Sequence, residues 1–168
     1  MKQLLASLLF FTLLSHTLMA QDKVYSPKRF GSPPTPADED QILELMDNYS
    51  MGWFMEDARM LAATYDERAE FVNDKGDLEY GRDDIKEFYT RLFEASDSGD
   101  EASQNSGARI SIRYLGDKVA VFHSFTRPTQ TGSQPVNDSH YSHSTFVLNK
   151  TTAEGWKIVH HMVMDVPI

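Results

Sequence analysis

Cysteine is absent from all 168 residues. That one gap removes disulfides, thiolate nucleophiles and thiolate metal ligands together, so stability must come from packing. Positive charge is scarce too: 16 Lys and Arg stand against 25 Asp and Glu, for a net charge of −9. Phosphate contacts need a basic surface, so nucleic acid is not an expected partner. The chain has no Gly-rich phosphate loop, no Ser-elbow motif and no His-x-x-x-His pair. Signatures of nucleotide binding, acyl transfer and helical zinc sites are therefore missing. No internal repeat is visible. Long apolar runs are also missing, with one exception at the start.

The exception is Leu4 to Leu18, preceded by Met1 and the basic Lys2 and closed by Leu18-Met19-Ala20. A basic start, a short apolar stretch and a small-residue end form a cleaved export signal. The stretch is too short, and too interrupted by Ser15, His16 and Thr17, to favour a permanent membrane span. Residues 1–20 are thus expected to be a signal peptide, and no cysteine follows to carry a lipid anchor. The mature chain would begin at Gln21, periplasmic or secreted and free of the membrane once cleaved. Its remaining length, about 148 residues, suits one domain with a sizeable core.

Residues 21–35 hold Pro27, Gly31, Pro33 and Pro34 with no apolar period and read as a flexible linker. Thr35-Pro36-Ala37-Asp38 is a helix start, with Thr as N-cap, Pro in the first turn and Asp reaching back. Ile42, Leu45, Met46, Tyr49 and Trp53 follow at spacings of three and four, which places one apolar stripe on a helix. Asp57 caps a second short helix carrying Met60, Leu61 and Tyr65. Glu70–Asn73 and Asp77–Tyr80 bracket an Asp74-Lys75-Gly76 turn and read as a hairpin. A third helix runs from about Arg82 to Phe93, with Ile85, Phe88, Tyr89 and Leu92 on one side. Residues 95–107 are polar and acidic, an expected loop.

From Ala108 the period switches to alternation. Ile110, Ile112 and Tyr114 begin a series of strands that continues through Lys118–Arg127, Ser139–Asn149 and Trp156–Asp165, with a loop over residues 128–138. Helices first and an antiparallel meander after them make an α+β class, 36–168 being one domain.

Several runs carry a resemblance. Trp53-Phe54-Met55-Glu56-Asp57, then Leu61, Tyr65 and Phe71-Val72, then Gly81-Arg82-Asp83-Asp84-Ile85 resemble SnoaL-like domains of the NTF2-like superfamily, and are similar also to ketosteroid-isomerase-like proteins. Leu115 to Val121 fits their central hairpin, and Phe146-Val147-Leu148 with Gly155 to His161 fits their final strands. Glu56 stands where a Gly often precedes the Asp, and Met162 where a third His often completes the last run. The resemblance implies an NTF2-like cone, N-terminal helices packed on the concave face of a curved antiparallel sheet around a pocket. It also implies pairing as a homodimer through the sheet.

The candidate chemistry rests on histidine. Alternation puts His123 with Val119, Val121 and Phe125, and His143 with Tyr141, Thr145 and Val147. Aligned with the resembled family, both faces are concave and line the pocket with Trp53, Tyr65, Phe88, Tyr141 and Phe125. An imidazole there would act as general base, with Tyr65 or Tyr141 donating to a developing oxyanion. Each His read singly is more often a hydrogen-bonded core or interface residue, and an aromatic set more often a packed core. Neither His140 with His143 nor His160 with His161 can chelate within one straight strand, so no metal and no cofactor are expected. Asp57 is read chiefly as a helix cap. Arg113 would meet an anionic ligand or sit at a dimer surface. Two functions stay open: a cofactor-free isomerase, cyclase or dehydratase acting on a small hydrophobic or amphipathic molecule, or a non-catalytic ligand-binding or dimeric interaction module.

Overall fold

The Thr35-Pro36-Ala37-Asp38 start does more than begin a helix. In the computed structural model, which describes residues 27–95, 109–126 and 140–167, helix α1 spans Pro36–Phe54. The Asp38 carboxylate accepts from the Thr35 N–H at 3.1 Å and from Thr35 Oγ1 at 2.8 Å. Its other oxygen accepts from Lys150 Nζ at 2.6 Å and Trp156 Nε1 at 2.8 Å. Only 1% of Asp38 is exposed, so a helix cap has become a buried ionic anchor between α1 and two distant strands. The Lys150 bond leads the forces that lower its pKa to about 2.

The sheet has seven strands. They are β1 (Lys28–Phe30), β2 (Tyr65–Val72), β3 (Leu78–Tyr80), β4 (Arg109–Tyr114), β5 (Val119–Thr126), β6 (His140–Thr151) and β7 (Gly155–Pro167). Their order is β1-β4-β5-β6-β7-β2-β3 in one curved, unclosed sheet. The expected meander β4-β5-β6-β7 is antiparallel throughout. β1 joins β4 in parallel and β2 joins β7 in parallel, so the sheet is mixed at both margins. Helices α2 (Ala58–Ala63) and α3 (Gly81–Ala95) complete the α+β cone with α1. All pack on the face carrying Ile112, Tyr114, Ala120, Phe122, Phe146, Leu148, Trp156 and Ile158. That face holds the larger apolar area, which decides where the helices sit.

Two local expectations are corrected. Residues 21–35 are not all linker: Lys28–Phe30 pair with Ser111–Arg113, and Arg29 grips Glu39 of α1 at 2.6 Å. The Phe30 ring lies under the Arg113 guanidinium, 4.4 Å from its centroid, which orders a stretch that composition alone marks as flexible. Tyr65 opens β2 rather than riding on α2. The Thr64 carbonyl accepts from the Ile158 N–H at 3.0 Å, and that pairing with β7 ends the helix. Asp57 caps α2 as expected, its carboxylate accepting from the Arg59 and Met60 N–H groups. The expected signal peptide and the loops at 96–107 and 128–138 lie outside the described residues.

Gly52 sits where α1 meets α2. A Cβ there would fall 2.9 Å from both Cγ and the backbone N of Leu61. Gly52→Ala should therefore destabilise the fold by about 1–3 kcal/mol, against the ~1 kcal/mol gain that helix propensity alone would give. Urea unfolding reads the sign. For Asp38 the sign follows from its lowered pKa. The stabilisation is complete above 3.8, the ordinary carboxylate value, and is lost as pH falls toward 2. Asp38→Asn should cost about 1–3 kcal/mol near neutrality by removing the charge that Lys150 and Trp156 donate to, Lys150 itself staying partly in water. Unfolding curves at successive pH values should show that gap narrowing below pH 4.

Candidate functional site

Four polar aromatic side chains from four elements meet inside the cone. Tyr49 comes from the apolar stripe of α1, Tyr65 from the first position of β2, Tyr89 from α3 and His161 from β7. The Tyr65 hydroxyl lies 2.7 Å from His161 Nδ1 and 3.1 Å from the Tyr89 hydroxyl. Tyr49 and Tyr89 hydroxyls are 3.5 Å apart. Tyr65, Tyr89 and His161 are fully buried and Tyr49 nearly so.

A bulge selects His161. Leu148 pairs with Ile158 but Val147 pairs with His160, so Val159 is an extra residue in β7. Trp156 and Ile158 point inward, and unbroken alternation would send His160 in after them. The extra residue hands the inward position to His161 and leaves His160 beside Glu70 on the outer side, 3.5 Å away. The His161 ring then stacks on Phe146, with centroids 4.0 Å apart, and on Phe71 at 5.0 Å. Trp53 and Phe93 extend the shell, Trp53 standing edge-on to both Tyr89 and Phe93 with centroids 5.4 Å apart.

Burial dominates the electrostatics. It lowers the His161 pKa to about 3, helped by the charge of His160. It raises the pKa of Tyr49, Tyr65 and Tyr89, so all four groups are neutral at pH 7. His161 Nε2 is buried and, among the described residues, has no hydrogen-bond partner. A buried polar atom left unmet costs about 1–3 kcal/mol, which makes it the most informative atom in the interior.

The residues expected from sequence divide between two faces. Tyr65 and Phe88 belong to the inner cluster, Phe88 packing on Phe71 with centroids 5.2 Å apart, whereas Trp53 is exposed and covers its rim. His123, His143 and Phe125 do share one face, as alternation requires, but it is the outer one. This corrects their expected place on the concave side. Their neighbours Ala120, Phe122, Phe146 and Leu148 take the helix-covered face, and both histidines are exposed. His143 stands edge-on to Phe125 with centroids 4.5 Å apart, beside the exposed Met162 and Met164. Arg113 is on that side too, spent on Phe30. The side chain of Tyr141 lies outside the described residues. A separate open groove of about 560 Å³ runs along Met55, Glu56, Asp57, Arg59, Lys86 and Thr90, away from the tyrosines. Among the described residues no group of three or more His, Asp or Glu is placed to hold a metal.

Strict alternation does not reveal which of His160 and His161 turns inward; the adjacent apolar pair Ile158-Val159, which breaks the alternation, is the one local sign of the bulge.

His161 makes stability depend on acid. The unfolded chain takes a proton near 6.5, whereas the folded one resists to about 3. Folding stability should thus fall as pH drops below 6.5, at up to ~1.4 kcal/mol per pH unit. His161→Phe should flatten that limb, and denaturant midpoints between pH 7 and pH 4.5 measure it.

No protein-family model matches the chain, and no curated protein is detectably similar to it. Solved structures are. A domain of unknown function with a cystatin-like fold from Nostoc punctiforme PCC 73102 is 22% identical over 77% of this chain and 78% of its own, with a TM-score of 0.60. A ketosteroid isomerase-like protein from Erwinia carotovora atroseptica SCRI1043 is 17% identical over 80% of this chain and 100% of its own, with a TM-score of 0.61. An NTF2-like protein of unknown function from Shewanella oneidensis MR-1 is 18% identical over 76% of this chain and 98% of its own, with a TM-score of 0.55. With its helices on one face of a curved seven-stranded sheet, the chain has the NTF2-like fold.

Proposed function

We propose that this chain is an exported small-molecule-binding module, whose interior recognises a neutral, largely apolar or amphipathic molecule without exchanging protons with it. The observation that carries the reading is the buried quartet of Tyr49, Tyr65, Tyr89 and His161, enclosed by aromatic rings and holding one unmet polar atom. Apolar walls with a few convergent polar groups are the usual make-up of a small-molecule site. Export is supported by the basic start and the apolar Leu4–Leu18 stretch.

Proton transfer fits less well. General acid–base catalysis works best with a group that titrates near ambient pH. Inside the cone His161 is held neutral down to about 3, and the three tyrosines are held protonated. The catalytic alternative, a cofactor-free isomerase, cyclase or dehydratase, would need His143 or His123 as its base, and both point away from the quartet. Likeness to a ketosteroid isomerase-like structure speaks for a fold, since this fold carries many functions.

A thermal-shift screen of the mature chain against neutral aromatic and amphipathic compounds tests the proposal. A binder at 100 times its Kd should stabilise by about 2.7 kcal/mol and raise Tm clearly. Tyr65→Phe should weaken that shift, and His143→Ala should leave it intact. A screen in which no compound raises Tm would sink the binding reading. Loss of the shift in His143→Ala would restore the outer-face histidines as the working groups.

A further inference from the structure

The outer face of the sheet carries a group of side chains that the small-molecule reading does not use. Alternation forbids chelation within one strand, but across strands it gathers ligands on one face. In one row Ser111, His123, Thr145 and Met162 stand opposite one another across β4, β5, β6 and β7. In the next row Arg109, Phe125, His143 and Met164 do the same. His143 is therefore central to a set of four. Met164 is directly opposite it, and His123 and Met162 are its diagonal neighbours on the strands to either side. Directly opposite side chains have Cβ atoms about 5 Å apart, and diagonal ones stay within reach when they are long or aromatic.

All four are open to solvent. Met162 and Met164 are 42% and 53% exposed, and both imidazoles are exposed as well. Methionine is ordinarily a core residue, so two thioethers turned to water beside two imidazoles need a reason. The His143 ring is steadied edge-on against Phe125. Among the described residues, no hydrogen bond or ion pair occupies a nitrogen of His143 or His123.

Donor chemistry narrows what these groups can hold. Thioether sulfur is a soft ligand that selects Cu(I), and imidazole accompanies it readily. Hard cations such as Ca²⁺ and Mg²⁺ need oxygen ligands, and no carboxylate stands opposite any of the four. Zinc builds its sites from histidine, thiolate and carboxylate, and no group of three such residues is assembled among the described residues. The net charge of −9 draws any cation toward the surface, and the two thioethers decide which one stays.

From this register we infer that His123, His143, Met162 and Met164 form a surface site for one soft monovalent cation, Cu(I) or its redox-inert counterpart Ag(I). His143 and Met164 supply the central pair of ligands, and His123 and Met162 close on the ion from either side. The site lies across the sheet from the tyrosines, so it stands or falls independently of small-molecule binding there.

Two measurements on the mature chain test this: silver nitrate titrated into protein labelled at the methionine methyls and followed by NMR, and Cu(I), kept reduced with ascorbate, competed against bicinchoninate. One equivalent of Ag(I) should move the methyl resonances of Met162 and Met164 and the ring resonances of His143 and His123. The exposed Met51 and Met55 should keep theirs. Met162→Leu combined with Met164→Leu preserves side-chain size and so the fold. It should weaken Cu(I) binding at least about tenfold, the loss that even an outer-shell partner of a metal ligand causes. His143→Ala should weaken it comparably, Met51→Leu with Met55→Leu should not, and Zn(II) should bind more weakly than Cu(I). Equal shifts at Met51 and Met55 would mean scattered thioether binding and overturn the inference. So would full Cu(I) affinity in the doubly substituted Met162 and Met164 variant, or Zn(II) binding as tightly as Cu(I). Methyl resonances that Ag(I) leaves in place overturn it too, including where a second copy of the chain seals this face.

Discussion

One carboxylate ties the start of α1 to the sheet. Asp38 is the buried acid among the described residues, and it survives burial because four donors surround it: Thr35 twice, Lys150 and Trp156. Those donors come from a helix start and from β6 and β7, so the bond network pins one end of α1 against the middle of the sheet. A helix held at its first turn has its remaining length aimed. Tyr49 reaches the interior, and Trp53 the exposed rim of the ring cluster, because the anchor at Asp38 leaves α1 one direction in which to run. A buried ion pair is poor evidence for extra stability, since desolvation consumes most of what the attraction returns. Its value here is in specifying an angle.

Much of this was legible in residue order. The Thr35–Asp38 cap, the α1 stripe, the Asp57 cap and the alternating strands after Ala108 all announce themselves, because each depends on neighbours within a few positions. What was hidden depends on partners far away. Asp38 reads as a cap and nothing more until Lys150 and Trp156 arrive from 112 and 118 residues downstream. Lys28–Phe30 look like linker because only β4 makes them a strand. Tyr65 sits at a helical spacing from Leu61, and the pairing of Thr64 with Ile158 is what draws it into the sheet.

The site shows the same division more sharply. Alternation correctly grouped His123 with Val121 and Phe125, but a period of two cannot say which group faces the helices. Apolar area settles it, and Phe122 with Phe146 outweighs the histidine-bearing side. The histidine that does turn inward owes its place to one surplus residue at Val159. Aromatic residues were easier: Tyr65 and Phe88 are found together, with Trp53 at the rim, because large rings on helical or strand faces tend to pack on one another. The outcome is an acidic protein with an uncharged heart, where the polar groups speak through hydrogen bonds alone.

The small parallel strand β1 has a consequence for how the molecule presents itself. Its residues are clamped beside the first turn of α1 by the Arg29–Glu39 pair, whereas the ring cluster is built around the last two turns of the same helix. A helix of 19 residues is about 28 Å long, so the two ends are well separated. Anything attached upstream of Pro27, whether a resin, a lipid bilayer or a fused neighbour, would grip the domain from behind. The aromatic end of α1 would stay remote from the point of attachment, so a tether there would leave the ring cluster untouched.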